Sequence, residues 1–228
     1  GQAIPYVLVM TLSVIMYKDV GISNSDIALY TSWLYLPWVI KPLWSPFVDM
    51  FSTKRKWVVT LQLVLGVSLA AVAFTTHLPA FFMASLAVLW VMAFCSATHD
   101  IAADGLYILA LPERQQAAFV GVRSTFYKLA AIVGAGALTY LAGEIGKGTG
   151  DVKLAWAAVL GVLAATFLLL FAWHAFVLPR PDSDHAVNAG GDHWKEFFAT
   201  FRAFFGKKDI LLILGFILTF RLGESQLL

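Results

Sequence analysis

Seven stretches of this 228-residue chain are apolar for long enough to suggest membrane helices, each of which needs about 20 such residues. Their approximate bounds are 2–17, 26–50, 57–76, 79–111, 116–143, 153–178 and 209–228. The first is short and begins without an initiator methionine, and the last stops inside its apolar run, so the sequence reads as a piece of a longer protein with both terminal helices cut. No basic leader or small-residue cleavage site precedes the first run, which argues against a secretory signal peptide.

The polar breaks between these stretches carry an uneven distribution of cations. Lys54, Arg55 and Lys56 follow the second stretch, Arg114 the fourth, and Arg180, Lys195, Arg202, Lys207 and Lys208 the sixth, whereas the alternate breaks hold Lys18, Lys147 and Lys153. Basic residues near helix ends stay on the cytoplasmic side, so the expected start of the chain is cytoplasmic. The longest break, 179–208, is polar and then turns amphipathic. Trp194, Phe197, Phe198, Phe201, Phe204 and Phe205 recur at helical spacing among Lys195, Glu196 and Arg202, as in a helix lying in the membrane interface. The predicted organisation is a six-helix bundle over 1–178, a cytoplasmic linker with an amphipathic helix over 179–208, and the first helix of a second bundle over 209–228.

Composition agrees with this reading. Apolar residues make up 60% of the chain and charged residues 13%, against roughly 45–50% and 25% in soluble domains. A net charge of +2 is too small to point to nucleic acid, and the single cysteine, Cys95, permits no internal disulfide. No phosphate-cradling glycine loop, metal-ligand cluster or nucleophile elbow is present, so neither an enzyme, a metal nor a cofactor is expected.

The informative residues are therefore the charges inside the apolar stretches. Asp100 and Asp104 lie one helical turn apart in the fourth, and Lys41, Arg123, Lys128 and Arg221 fall inside the second, fifth and seventh. A carboxylate in hydrocarbon costs about 2.5–3.5 kcal/mol on insertion scales, so it needs a partner, a proton or a water-filled cavity. At ~1.5 Å per residue, Asp100, Asp104, Lys41 and Arg123 share a layer roughly 10–15 Å from the cytoplasmic surface, and Lys128 and Arg221 lie nearer the midplane, roughly 18 Å in. Arg offers a planar fork and Lys a point charge, so an anionic solute is the natural ligand. Two roles are open for the acidic pair: direct participation in transport, or a structural ion pair with Arg123 that locks two helices. Asp49 with Lys54 and Arg55 reads as an interface charge cluster that fixes orientation and clamps a gate. His99 is either a proton relay or a packed hydrogen-bonding group, His174 is interfacial, and Glu224 is a second proton-site candidate or an ion-pair partner of Arg221. Pro37, Pro42 and Pro46 predict a kinked second helix, and Gly134 and Gly136 permit close helix approach. Trp33, Tyr35, Trp38 and Trp44 either stack on a sugar ring or anchor the helix.

Several local runs carry a resemblance. Lys41-Pro42-Leu43-Trp44-Ser45-Pro46-Phe47-Val48-Asp49 followed by Lys54-Arg55-Lys56-Trp57, Gly1-Gln2 through Pro5, and His99-Asp100-Ile101-Ala102-Ala103-Asp104-Gly105 are similar to AmpG-type muropeptide permeases and the related acetyl-coenzyme A transporters. So are Phe126-Tyr127-Lys128-Leu129 with Gly134 and Gly136, and Phe220-Arg221-Leu222-Gly223-Glu224. In that family Gln-Asp usually stands where this chain has His99-Asp100. The resemblance implies an all-α membrane protein of the major facilitator superfamily, whose two halves repeat one another. It also implies a secondary transporter in a bacterial inner membrane that imports anhydro-muropeptides with protons during peptidoglycan recycling. Arg123, Lys128, Arg221, Lys41, Gln2 and Tyr127 would contact the substrate, and Asp100, Asp104 or Glu224 would carry the proton. Other readings are transport of acetyl-coenzyme A or another organic anion, or a membrane sensor that binds the ligand without moving it.

Overall fold

A computed structural model describes residues 3–186, 193–210, 212, 213, 215, 216 and 219, with a few helical side chains left out, Arg123 among them. Gln2, Arg221 and Glu224 lie outside the described residues, as does most of the predicted seventh helix. The described chain is helical throughout its ordered elements. Helix α1 comprises Ala3–Val7, a π-helical Leu8–Leu12 and Ser13–Asp19. Helix α2 runs as Asn24–Thr31, a 3₁₀ turn Ser32–Tyr35, Leu36–Ile40, a second 3₁₀ turn Lys41–Leu43, and Ser45–Phe51. Then come α3 (Lys54–Thr75), α4 (Phe81–Ala110), α5 (Glu113–Thr149, with a π-helical Val133–Leu138), α6 (Val152–Val177) and the separate α7 (His193–Phe205). Of these, α3, α4, α5 and α6 are long and apolar enough to cross a membrane.

The breaks in α2 fall where its prolines predict them, since each ring removes a backbone donor and clashes with the preceding turn. The boundary ahead of α3 differs from expectation. Lys54, Arg55 and Lys56 form the first turn of α3 rather than a loop, because Thr53 Oγ1 accepts from Lys56 N at 3.2 Å and starts the helix earlier. Ser23 caps α2, its Oγ accepting from Asp26 N at 3.1 Å, and Asp151 caps α6 by accepting from Leu154 N at 3.0 Å. Gly150, at φ +72°, ends α5 in the left-handed conformation that glycine tolerates best. At the α4–α5 turn the Gln116 amide donates to Leu111 O and Ile108 O, satisfying carbonyls that a helix end leaves without partners.

Residues 3–186 form one packed unit. Helix α3 lies along α6 on one side and along α4 on the other. Helix α1 packs against α2, α4 and α5, and α5 leans on α6 through its second half. The centre of the bundle is Leu8, Leu12 and Met16 of α1 against Leu65, Leu69 and Val72 of α3, Leu89 and Met92 of α4, and Trp156, Leu160 and Phe167 of α6. Two hydrogen bonds tie the helices together within it: Tyr17 OH meets Ser85 Oγ at 2.8 Å, and Trp156 Nε1 donates to Asp19 Oδ2 at 3.1 Å, joining the start of α6 to the end of α1. The second unit carries α7, in which Phe201 lies 4.8 Å from Phe197 and 6.0 Å from Phe205 between ring centroids, the one-sided aromatic row its helical spacing predicts.

The two glycines of α5 are not equivalent. A Cβ on Gly134 would stand 2.7 Å from Val7 Cγ1, where the π-helical segments of α1 and α5 meet, whereas a Cβ on Gly136 would meet nothing within 4 Å. Gly134→Ala should therefore lower thermal stability in detergent by ~1–3 kcal/mol, the usual cost of overpacking, while Gly136→Ala leaves it within about 0.5 kcal/mol. Equal melting shifts for the two would mean that α1 and α5 do not cross at Gly134.

Candidate functional site

Four aromatic side chains from three helices meet, Tyr6 and Trp38 half-buried and Tyr35 and Tyr127 exposed. Tyr6 of α1 is the hub: its ring centroid lies 5.2 Å from Trp38 and 6.4 Å from Tyr35, both of α2, with edge-on geometry, and 6.3 Å from Tyr127 of α5. Edge-to-face contacts of this kind suit the quadrupoles of the rings and leave hydroxyl and N–H groups at their edges. Asp100, half-buried on α4, lies within electrostatic range of Tyr127. Trp38 Nε1 is buried and has no hydrogen-bond partner among the described residues. Flat apolar faces, polar ring edges and one acid are what a ligand with both hydrophobic and hydrogen-bonding faces requires.

The local backbone explains why the cluster sits there. The first 3₁₀ turn of α2 contains Tyr35, and Trp38 lies between that turn and the second. The π-helical segments of α1 and α5 begin within a few residues of Tyr6 and Tyr127 and contact one another. Irregular turns inside otherwise straight helices often re-aim side chains at functional positions.

A second polar region lies at the rim where α2 ends and α3 begins. Lys54 forms an ion pair with Asp49, and its aliphatic stem lies over Gly105 of α4, where an added Cβ would be 2.9 Å from Lys54 Cε. Asp184, past the end of α6, accepts from Lys54 N at 2.7 Å and Arg55 N at 2.9 Å, setting a carboxylate against the first backbone donors of α3. Arg55 reaches the other way, donating from Nε to Leu178 O at 3.2 Å and from Nη2 to Ala175 O at the end of α6. Four elements, α2, α3, α4 and α6, are thereby held together at one end of the bundle.

The structure thus places Asp100 within electrostatic range of Tyr127 and pairs Asp49 with Lys54, whereas the Arg55 side chain turns away to the end of α6. Lys41 is half-buried in the second 3₁₀ turn of α2, Asp104 is half-buried one turn beyond Asp100, and Lys128 is exposed on α5. The Arg123 side chain, Gln2, Arg221 and Glu224 lie outside the described residues. Of the candidate stacking residues, Tyr35 and Trp38 enter the cluster. Trp44 does not: it packs on Phe94 at 5.5 Å and donates from Nε1 to Thr98 Oγ1 at 3.2 Å, so its role is to fasten α2 to α4. Trp33 is exposed. His174, expected to be interfacial, is half-buried and bonded to Gln62 Oε1 at 2.9 Å. Sequence reasoning missed Tyr6 and Asp184. Tyr6 had one signal available, a polar-tipped aromatic in an otherwise aliphatic run, whereas Asp184 sits in a polar break indistinguishable from linker.

Removing the Asp184 carboxylate tests the rim. Asp184→Ala should reduce thermal stability by ~1–3 kcal/mol, because two backbone donors lose a charged acceptor. Asp184→Asn keeps one acceptor oxygen and should lose less. Identical melting curves for both variants and the parent would show that the segment after α6 does not hold α3.

Comparison with known proteins agrees with this architecture. A model of the Major Facilitator Superfamily matches residues 3–223. The Anhydromuropeptide permease of Escherichia coli strain K12 is 31% identical over 196 residues, 82% of this chain and 37% of that protein. Putative transporter AmpG 4 of Rickettsia conorii is 25% identical over 99% of this chain and 55% of its own length, and an Uncharacterized protein of Haemophilus influenzae is 25% identical over 83% and 44%. The chain spans between about 37% and 55% of the length of these relatives. With its apolar membrane-length helices and a family match that runs nearly from end to end, this multi-pass chain belongs to the Major Facilitator Superfamily, on the side of it that includes the anhydromuropeptide permeases.

Proposed function

We propose that this chain is part of a proton-coupled secondary transporter that imports anhydro-muropeptides from periplasm to cytoplasm across a bacterial inner membrane. The observation that carries the reading is the junction of Tyr6, Tyr35, Trp38 and Tyr127 with the Asp100 carboxylate, in a chain 31% identical to an anhydromuropeptide permease. Aromatic faces suit the C–H surface of a saccharide ring, and the hydroxyls and Trp38 N–H can bond its polar substituents. Lys128 and Lys41, with Arg123 and Arg221, would attract the peptide carboxylates, and Gln2 would add an amide contact. Asp100 is the favoured proton carrier, with Asp104 and Glu224 as further candidates, because an intramembrane carboxylate that alternates between charged and neutral forms can couple ion movement to a conformational change. The rim of Asp49, Lys54 and Arg55 would close the cytoplasmic side, and the start of the chain would be cytoplasmic by its loop charges. The amphipathic α7 would lie in the linker between two bundles, the second beginning near residue 209.

Uptake by the protein in proteoliposomes tests the coupling. Asp100→Asn keeps the shape and loses the titratable group, so uptake of anhydro-muropeptide driven by an imposed pH gradient should fall roughly tenfold or more while substrate exchange without a gradient persists. Normal gradient-driven uptake by this variant would remove Asp100 from proton coupling. Charge recognition is read separately: Lys128→Gln should raise the half-saturation concentration for the peptide-bearing substrate by roughly tenfold and leave a neutral disaccharide analogue unchanged. Equal losses for the two ligands would mean that Lys128 serves folding instead.

A further inference from the structure

Two neighbouring cavities lie where α3, α4 and α6 and the segment after α6 come together, away from the aromatic cluster. The upper one, about 400 Å³, is lined by Thr53, Arg55, Lys56, Arg180, Pro181 and Asp184. Three cations there face one carboxylate, and that carboxylate is already engaged by Lys54 N and Arg55 N. Lys56 and Arg180 are exposed, and neither has an ion-pair partner among the described residues. The lower cavity, about 350 Å³, is walled mainly by Val58, Ala103, Leu106, Leu111 and Leu178. It adjoins the upper one at the run Leu178-Pro179-Arg180-Pro181, which contributes residues to both.

Gln62, His99, His174 and Tyr107 bring polar groups to this otherwise apolar space, the Tyr107 hydroxyl being bonded to Gln116 O. Gln62 Oε1 accepts from His174 Nδ1 at 2.9 Å, and both residues line the cavity. His99 is 3% exposed, lines the same cavity, and its Nε2 has no hydrogen-bond partner among the described residues. A buried polar nitrogen without a partner costs about 1–3 kcal/mol, so a group that occupies the cavity and bonds it gains correspondingly. Gln62 lies seven residues along α3 from Arg55, which places the polar floor ~10 Å below the cations. On α6 either side of His174, Trp173 and Phe176 are 63% and 87% exposed, as expected of side chains at a lipid boundary.

A cationic mouth over an apolar shaft with a hydrogen-bonding floor, placed at the end of membrane helices, fits one class of molecule. We propose that these adjacent cavities bind an anionic phospholipid, with the phosphate between Lys56, Arg180 and Arg55, the ester region just below it at the Pro179–Pro181 run, and the acyl region against Val58, Leu106 and Leu178. Basic recesses between membrane helices select anionic headgroups through the charge they present at the surface. The site does not depend on the transport reading: lipid selectivity and substrate uptake are measured independently, and either can fail alone.

The test compares phosphatidylglycerol with phosphatidylcholine of the same acyl chains, binding to the detergent-purified protein being followed by native mass spectrometry and thermal unfolding. Glycerol 3-phosphate and inorganic phosphate serve as soluble anions. Phosphatidylglycerol should bind about 10- to 30-fold more tightly than phosphatidylcholine, the contribution expected of two cations near the surface. Lys56→Gln with Arg180→Gln, both exposed and outside the packed core, should abolish that preference while phosphatidylcholine binding persists. The soluble anions should neither stabilise the protein nor compete at matched concentration. Equal binding of the two lipids, or an unchanged preference in the double variant, would overturn the proposal. Competition by inorganic phosphate as strong as that of the lipid would make the upper cavity a simple anion site and overturn it as well.

Discussion

Every helix end in a membrane bundle leaves backbone donors or acceptors without partners, and near hydrocarbon such groups must be satisfied from within the protein. In this chain the rim of α3 meets that requirement with side chains from far away in sequence. Asp184 supplies a carboxylate to the first donors of α3, and Arg55 returns two hydrogen bonds to the last carbonyls of α6. The exchange is reciprocal: an acid sits at the positive end of one helix and a guanidinium at the negative end of its neighbour, so each helix dipole is met by opposite charge. The lengthwise packing of α3 on α6 begins from this pairing, and the Lys54–Asp49 pair carries it on to α2 while the Lys54 stem carries it to α4.

What could be read from the sequence followed from locality. Apolar run lengths gave six helices to within three residues at each end except the last of α5, which runs six residues past the expected 143; prolines gave the breaks in α2, and the spacing of Phe197, Phe201 and Phe205 gave α7. Each of these rests on neighbours within one or two turns. The exceptions were tertiary. Asp184 acts on a helix about 130 residues earlier, and nothing in Pro181-Asp182-Ser183-Asp184 separates the acid that docks from the one that does not. The same limit applied to Gly134 and Gly136, which look alike in sequence and differ because Val7 of α1 stands over only one of them. Lys54, Arg55 and Lys56 looked like a loop because charge normally marks the end of an apolar segment, yet a cap and a docked carboxylate allow charged residues to form the first helical turn.

The aromatic cluster was half legible for a related reason. Tyr35, Trp38 and Tyr127 stand out as polar-tipped rings in apolar helices, but which of the tryptophans of α2 turn inward depends on how its two 3₁₀ turns rotate the segments between them. A 3₁₀ turn advances 120° per residue rather than 100°, so each such turn shifts the following face by tens of degrees. Trp38 and Trp44, six residues apart and separated by one of these turns, end on different partners, Tyr6 in one case and Phe94 with Thr98 in the other. Counting at 3.6 residues per turn cannot recover that outcome.

Regular and irregular helices divide the work of the bundle. Helices α3 and α6 are continuous α-helices packed along their lengths, while α1, α2 and α5, which meet at Tyr6, all contain 3₁₀ or π segments. Helix α4 stands between the two groups, and its consecutive residues His99 and Asp100 serve different sides. Successive side chains on a helix diverge by about 100°, so a neighbour of Asp100 must face elsewhere. Asp100 acts on Tyr127 among the irregular helices, and His99 lines the cavity with Gln62 and His174 on the α3–α6 side. The carboxylate of Asp100 therefore lies on the side of the helices whose backbones depart from regular geometry, while the α3–α6 pair is fastened separately at Asp184 and Arg55.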